Sequence, residues 1–255
     1  TVSTITLIGV VVGHSENMHV GYRFDMKPSL KPGQNELVII FASPTRYAYA
    51  MRDKLGQLPR MNCPVPFNFI RKMACNFGWD WGPEVTTSGI WKGIRVEGWS
   101  DVRITQLRHT TRPVGKNNWE LRVQGRLEYS TPEVAARSAD RLLWYGLNQM
   151  DGLPINGVHV ALDAGQLAFD HSTIMESPGV WNPVGHGVPH RYQLYVDFCW
   201  GLYDDYRRVH RVVRPIGFRT VELDTSPDAI GEKFVLKVNG QPIFCRGFNW
   251  IPDDC

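Results

Sequence analysis

Apolar and polar residues alternate with a period of two along much of this 255-residue chain. That spacing sends one face of an extended strand into a core and the other into water. It predicts strands at residues 2–8, 19–24, 36–41, 90–97, 102–107, 119–127, 142–145, 158–162, 192–198, 218–223 and 234–238. Turn-forming pairs separate many of them, most clearly Pro32-Gly33, Asp151-Gly152, Pro178-Gly179 and Asn239-Gly240. Many short strands at regular spacing predict β-sandwiches. One stretch departs from the pattern. Residues 45–55 read as a helix, with Ser43 as N-cap, Pro44 in the first turn and Gly56 as its end. Tyr47, Met51 and Leu55 fall on one face, which is expected to close an edge of the sandwich.

The strand pattern breaks near residues 99–101, and a second sandwich runs to about residue 224. A polar loop, Thr-Ser-Pro-Asp-Ala-Ile-Gly-Glu, fills 225–232. Beyond it two short apolar runs flank Asn239-Gly240, the signature of a tight hairpin. Residues 244–248 read as a further strand. The chain opens directly in an alternating pattern and stops at Ile251-Pro252-Asp253-Asp254-Cys255, so both ends are expected to lie inside folded structure.

Composition removes several classes of function. Lys and Arg number 28 against 25 Asp and Glu, and the charges are dispersed, so no nucleic-acid surface is expected. No run of about 18 apolar residues exists to form a membrane-spanning helix. The five cysteines are odd in number and include no C-x-x-C pair. Neither a disulfide framework nor a zinc site is expected, and a reducing compartment, the cytoplasm, fits best. His186 and His190 flank Gly187 and Pro189, which spoils helical metal-ligand spacing. No metal or cofactor is expected.

The chemistry concentrates in Arg71-Lys72-Met73-Ala74-Cys75-Asn76-Phe77-Gly78-Trp79-Asp80-Trp81-Gly82-Pro83, followed by Ser88-Gly89-Ile90-Trp91. A pyranose offers a weakly apolar face that stacks on an aromatic plane, and an edge of hydroxyls that a carboxylate can accept from in pairs. An aspartate between two indoles supplies both, and the glycines and Pro83 imply a fixed turn. From the residues alone, the indoles can equally cover a core while Asp80 caps a turn.

The chain resembles glycoside hydrolase family 2, specifically its β-mannosidases. The likeness rests on the run 71–83, the Ser88-Gly89-Ile90-Trp91 element, Gly217-Phe218-Arg219-Thr220-Val221, and Val238-Asn239-Gly240-Gln241-Pro242-Ile243-Phe244 leading into Gly247-Phe248-Asn249-Trp250-Ile251-Pro252. Weaker likeness extends to Asn17-Met18-His19 and residues 47–55. The resemblance implies a mostly β fold: a partial jelly-roll sugar-binding domain at 1–100, an immunoglobulin-like β-sandwich at 101–224, and the first strand of a truncated (β/α)8 barrel at 233–255. It implies that Trp79, Asp80 and Trp81 contact a terminal mannose. It implies that Arg71 orients Asp80 or the sugar, a structural salt bridge being an equal alternative. Asn249 and Trp250 would lie at the C-terminal end of the first barrel strand, contacting substrate or packing the rim. The implied substrate is a β-mannoside oligosaccharide, and the implied reaction an exo-acting, retaining hydrolysis of terminal non-reducing β-D-mannose. Animal members would place the protein in lysosomes, bacterial ones inside the cell. The sequence does not indicate an oligomeric state.

Retaining glycosidases need two carboxyl groups about 5–5.5 Å apart. In family 2 both lie on later barrel strands, so none of the residues here is assigned a catalytic role, and the 255 residues alone are expected to be inactive. Asn35-Glu36 imitates the family's Asn-Glu pair but reads as an exposed strand start. Asp170-His171-Ser172 holds triad residue types, yet neighbours on a strand face opposite ways. A non-catalytic carbohydrate-binding module is the alternative reading, and a structural two-sandwich protein a third.

Overall fold

A computed structural model describes residues 1–59, 64–78, 83–149, 154–201 and 205–249. The chain divides into two compact units: residues 1–96 together with Asn249, and Glu97–Phe248.

In the first unit, β1 (Ser3–Leu7), β2 (Val10–Ser15) and β3 (Leu37–Phe41) form an antiparallel sheet with β1 in the centre. Ser3, Ile5 and Leu7 face inward, as the alternation predicts. Ile8 and Gly9, both at positive φ, make the tight turn into β2, and the ladder bulges at the Ile5/Thr6 step. β2 escapes the sequence reading because Val10-Val11-Val12 is uniform rather than alternating.

The strand predicted at 19–24 does not form. The Tyr22 hydroxyl accepts from the amides of Glu16 (3.1 Å) and Asn17 (2.9 Å), folding the segment back on itself. Phe24 stacks on Tyr22 and lies over Gly13, where a Cβ would come within 2.1 Å of its ring. Residues 90–97 also lack a ladder, and Ile90, Ile94 and Val96 are exposed. Alternation prescribes two faces, but a strand also needs a neighbour to accept its hydrogen bonds.

Helix α1 (Pro44–Leu55) starts as predicted: the Ser43 hydroxyl accepts from the Arg46 amide, and Gly56 closes the helix at φ +83. Its inward stripe differs from the expected one. Pro44 and Ala48 are buried, Tyr47 packs at their side, and Leu55 is 59% exposed. The small core here joins Ala48 to Val65, Ile70 and Phe77.

The second unit is larger. β4 (Val102–Val114), β5 (Asn118–Tyr129) and β8 (Ala168–Met175) form one antiparallel sheet in that order. β6 (Arg141–Gln149), β7 (Pro154–Leu162), β9 (Tyr192–Trp200) and β10 (Arg207–Ile216) form another, ordered β10-β9-β6-β7. Leu121 and Val123 from the first sheet share one apolar core with Leu143, Leu194, Val196 and Phe198 from the second. Phe218, fully buried, meets Trp119 and Tyr192 edge-on. Polar clasps fix the periphery. Asp197, with no exposure, receives two bonds from Arg211 at 2.7 and 2.6 Å. Arg103 lies 3.4 Å from the Trp99 ring centroid and pairs with Glu97 and Glu128.

β11 (Val221–Asp224), β12 (Val235–Val238) and β13 (Gln241–Pro242) make a third, small sheet. The Asn239-Gly240 hairpin forms as predicted, with both residues at positive φ. The Asn239 amide also donates to the Trp181 carbonyl at 2.9 Å. The strand expected at 244–248 is absent; the backbone there is irregular, and Phe244 and Phe248 are exposed. A barrel strand draws its hydrogen bonds from flanking strands, and among the described residues no strand pairs with this segment.

Candidate functional site

Trp79, Asp80, Trp81 and Trp250 lie outside the described residues. The residues on either side of 79–82 define the base on which the motif stands. Ile70 and Phe77, both buried in the small core, anchor the approach. Between them the backbone of Arg71 bridges Asn17, and the Met18 amide donates to the Arg71 carbonyl at 3.1 Å. The Asn17 side chain accepts from the His19 amide at 2.9 Å, fixing the turn that presents Met18. Met18 then serves as a hub: its sulfur accepts from the Met73 amide (3.1 Å) and its carbonyl from the Trp91 indole N–H (3.1 Å). Three segments far apart in sequence are thereby tied together.

The run continues through a 3-10 turn, Ala74–Phe77, whose Asn76 carbonyl accepts from the Thr86 hydroxyl at 3.1 Å. Gly78 follows at φ +93 and ψ 156, a conformation that only glycine adopts readily. A Cβ placed on Gly78 would stand 3.4 Å from that of Glu84. Gly78 and Glu84 are therefore side by side.

Of the sequence-predicted positions, Arg71 sits on this base with its side chain exposed. Asn249 is exposed on irregular backbone and groups with the first unit. Beside Arg71, burial lowers the Lys72 pKa while the Cys75 thiol acts in the opposite direction. Met18, Trp91 and Glu84 were not among the predicted site residues. The Asn17-Met18-His19 and Ser88-Gly89-Ile90-Trp91 elements drew attention to Met18 and Trp91 without giving them a role; nothing local marks Glu84.

The two decoys have structural duties. The Asn35 amide donates to the Lys31 carbonyl (2.8 Å) and the Gly33 carbonyl (2.9 Å), stapling the turn before β3. On β8, Asp170 pairs outward with Arg122, which holds its carboxyl at about 2. His171 points the other way, to the Tyr145 hydroxyl at 2.6 Å. Among the described residues no group of His, Cys, Asp and Glu could hold a metal ion, and no helix is long and apolar enough to cross a membrane. Cys75, Cys199 and Cys245 carry free thiols.

Comparison with known proteins gives the base a context. Residues 1–92 match the family described as glycosyl hydrolase 2 galactose-binding domain-like. The whole chain aligns with the β-mannosidase of Bos taurus at 31% identity over 268 residues, and with β-mannosidase B of Aspergillus oryzae at 31% over 264 residues. The crystal structure of β-D-mannosidase from Dictyoglomus thermophilum superposes on 99% of the chain with a TM-score of 0.84 and 28% identity. Residues 1–92 thus carry the family 2 likeness, and the chain as a whole is similar to β-mannosidases. The chain spans 29% of the length of these curated relatives and 30% of the solved chain.

Proposed function

We propose that the chain is the recognition portion of a retaining, exo-acting β-mannosidase. In this reading residues 1–100 are a partial jelly roll, 101–224 an immunoglobulin-like sandwich and 233–255 the opening of a (β/α)8 barrel. The observation that carries the proposal is the close approach of Gly78 and Glu84, on either side of Trp79, Asp80 and Trp81 in sequence, in a chain similar throughout to β-mannosidases. Asp80 accepts from mannose hydroxyls away from the scissile bond, the indoles wall the ring, and Arg71, Asn249 and Trp250 complete the contact. The catalytic carboxyl pair belongs to sequence beyond these 255 residues. Free thiols among the described residues support a cytoplasmic setting; likeness to animal β-mannosidases supports a lysosomal one instead.

The test has two parts. The purified 255-residue chain should leave an aryl β-mannoside intact; turnover would contradict the reading. The coding sequence past Cys255 should supply an Asn-Glu pair and a later strand-end glutamate, and Asp80→Ala in that longer protein should cut kcat/KM by about 100-fold, the scale expected when the transition state is deprived of one oriented, charge-assisted hydrogen bond. Saturable mannobiose binding by the 255 residues alone, abolished by Asp80→Ala, would favour a self-sufficient carbohydrate-binding module instead.

A further inference from the structure

The second unit carries a cleft that the mannose reading leaves idle. It encloses about 550 Å3, lined by residues of β4, of the segment before β9 and of the turn after β10. That volume lies within the range of small-molecule sites, about 300–1,000 Å3. His109, Thr110, Thr111, Trp181, Arg191 and Arg219 line it, and none of its lining residues is acidic. The Arg219 guanidinium lies 4.5 Å from the centroid of the Trp181 ring, held by stacking. Gly217 permits this packing, since a Cβ there would stand 3.1 Å from that of Trp181. Among the described residues neither Arg191 nor Arg219 is paired with a carboxylate. A third cation, Arg214, is near enough to add to burial in lowering the pKa of His109.

Uncompensated guanidiniums around a concave surface focus a positive potential, and their planar forks match the oxygens of phosphate and carboxylate. A threonine hydroxyl, the His109 imidazole and an indole beside them suit a hydroxylated body larger than a bare ion. We propose that this cleft binds a monosaccharide bearing an anionic group, with Arg191 and Arg219 taking the charge and Thr111, which shares its strand face with His109, a sugar hydroxyl.

Calorimetric titration of the full chain with glucose 6-phosphate, glucuronate, glucose and inorganic phosphate tests this. Saturable binding is expected for at least one charged sugar and not for glucose, weakening as salt rises. Preference for glucose 6-phosphate assigns a phosphate ligand, and preference for glucuronate a carboxylate. Arg219→Ala and Arg191→Ala should each weaken it at least ~10-fold, the scale of one charge-assisted bond, with thermal unfolding confirming that the variants fold. Arg219→Lys, which keeps the charge but loses the fork, should fall between. Absence of saturable binding by both charged sugars would overturn the proposal. So would indifference to both arginine variants, or inorganic phosphate binding as tightly as the sugars.

Discussion

The two units put the same sequence device, alternation, to unequal use. In Glu97–Phe248, long strands from two sheets bury a shared core running from Val102 to Phe218. In the first unit, beside one three-stranded sheet, the helix packs on a core of a few side chains around Phe77, and most of the described chain after residue 56 is turn or irregular backbone. The unit with the smaller core carries the Trp-Asp-Trp motif. The contrast separates two tasks: the second unit is stabilised by buried area, whereas the first holds a loop base in place by a few hydrogen bonds through Met18 and by one glycine. Loops that recognise ligands tolerate such light packing when their ends are fixed.

Substitutions can break or sharpen that contrast. The largest effect is expected from Phe218→Ala, which empties a site between Trp119 and Tyr192. It should cost about 3–5 kcal/mol, and denaturant unfolding followed by hydrogen exchange should show the loss confined to amides of the second unit. Gly78→Ala should cost less, about 1–3 kcal/mol, because it forces a side chain into a backbone conformation reserved for glycine. Its signature is local: near-ultraviolet circular dichroism changes while the far-ultraviolet spectrum stays the same. If Gly78→Ala instead unfolds the whole unit, the loop base is a core element and the separation of tasks fails.

Ser43→Ala should remove about 1 kcal/mol by leaving the Arg46 amide uncapped, a change readable in the urea midpoint. The smallest effect concerns acid. Arg122 holds Asp170 at about 2, below its ordinary 3.8. A carboxyl lowered on folding stabilises the fold above its unfolded pKa, and that contribution is lost as pH falls through the folded value. Asp170→Asn should therefore flatten the acid limb of a stability profile between about pH 4 and pH 2 and leave the shape of the neutral region almost unchanged.

How much was legible beforehand depends on where the determining contacts lie. β5 and β9 were readable because their inward faces are apolar at every second position, whereas β4 was readable only as far as Leu107, beyond which His109 and Thr111 take the inward positions. β10 was not readable: Arg207-Arg208-Val209-His210-Arg211 reads as a charged surface, and the partner that orders it, Asp197, sits on β9. β8 alternates too, but His171 and Thr173 occupy inward positions where apolar residues were sought. Residues 19–24 and 90–97 made the opposite error, showing alternation without a strand to pair with. At the site, the Trp-Asp-Trp motif stands out in one dimension because its residue types are unusual together. The ties that support its base, Met18 to Met73 and Trp91 to Met18, join positions 55 and 73 residues apart and leave no local trace.

Arg103 decides where the second unit can be excised. Its guanidinium rests on Trp99 and is clamped by Glu97 on one flank and Glu128 on the other, leaving the side chain 11% exposed. A truncation opening at Asp101 would strip off the indole and one acid and leave a cation half-undressed at the mouth of the first long strand. Starting the excised piece at Glu97 carries the whole clamp along, and the few residues ahead of the strand then act as its latch.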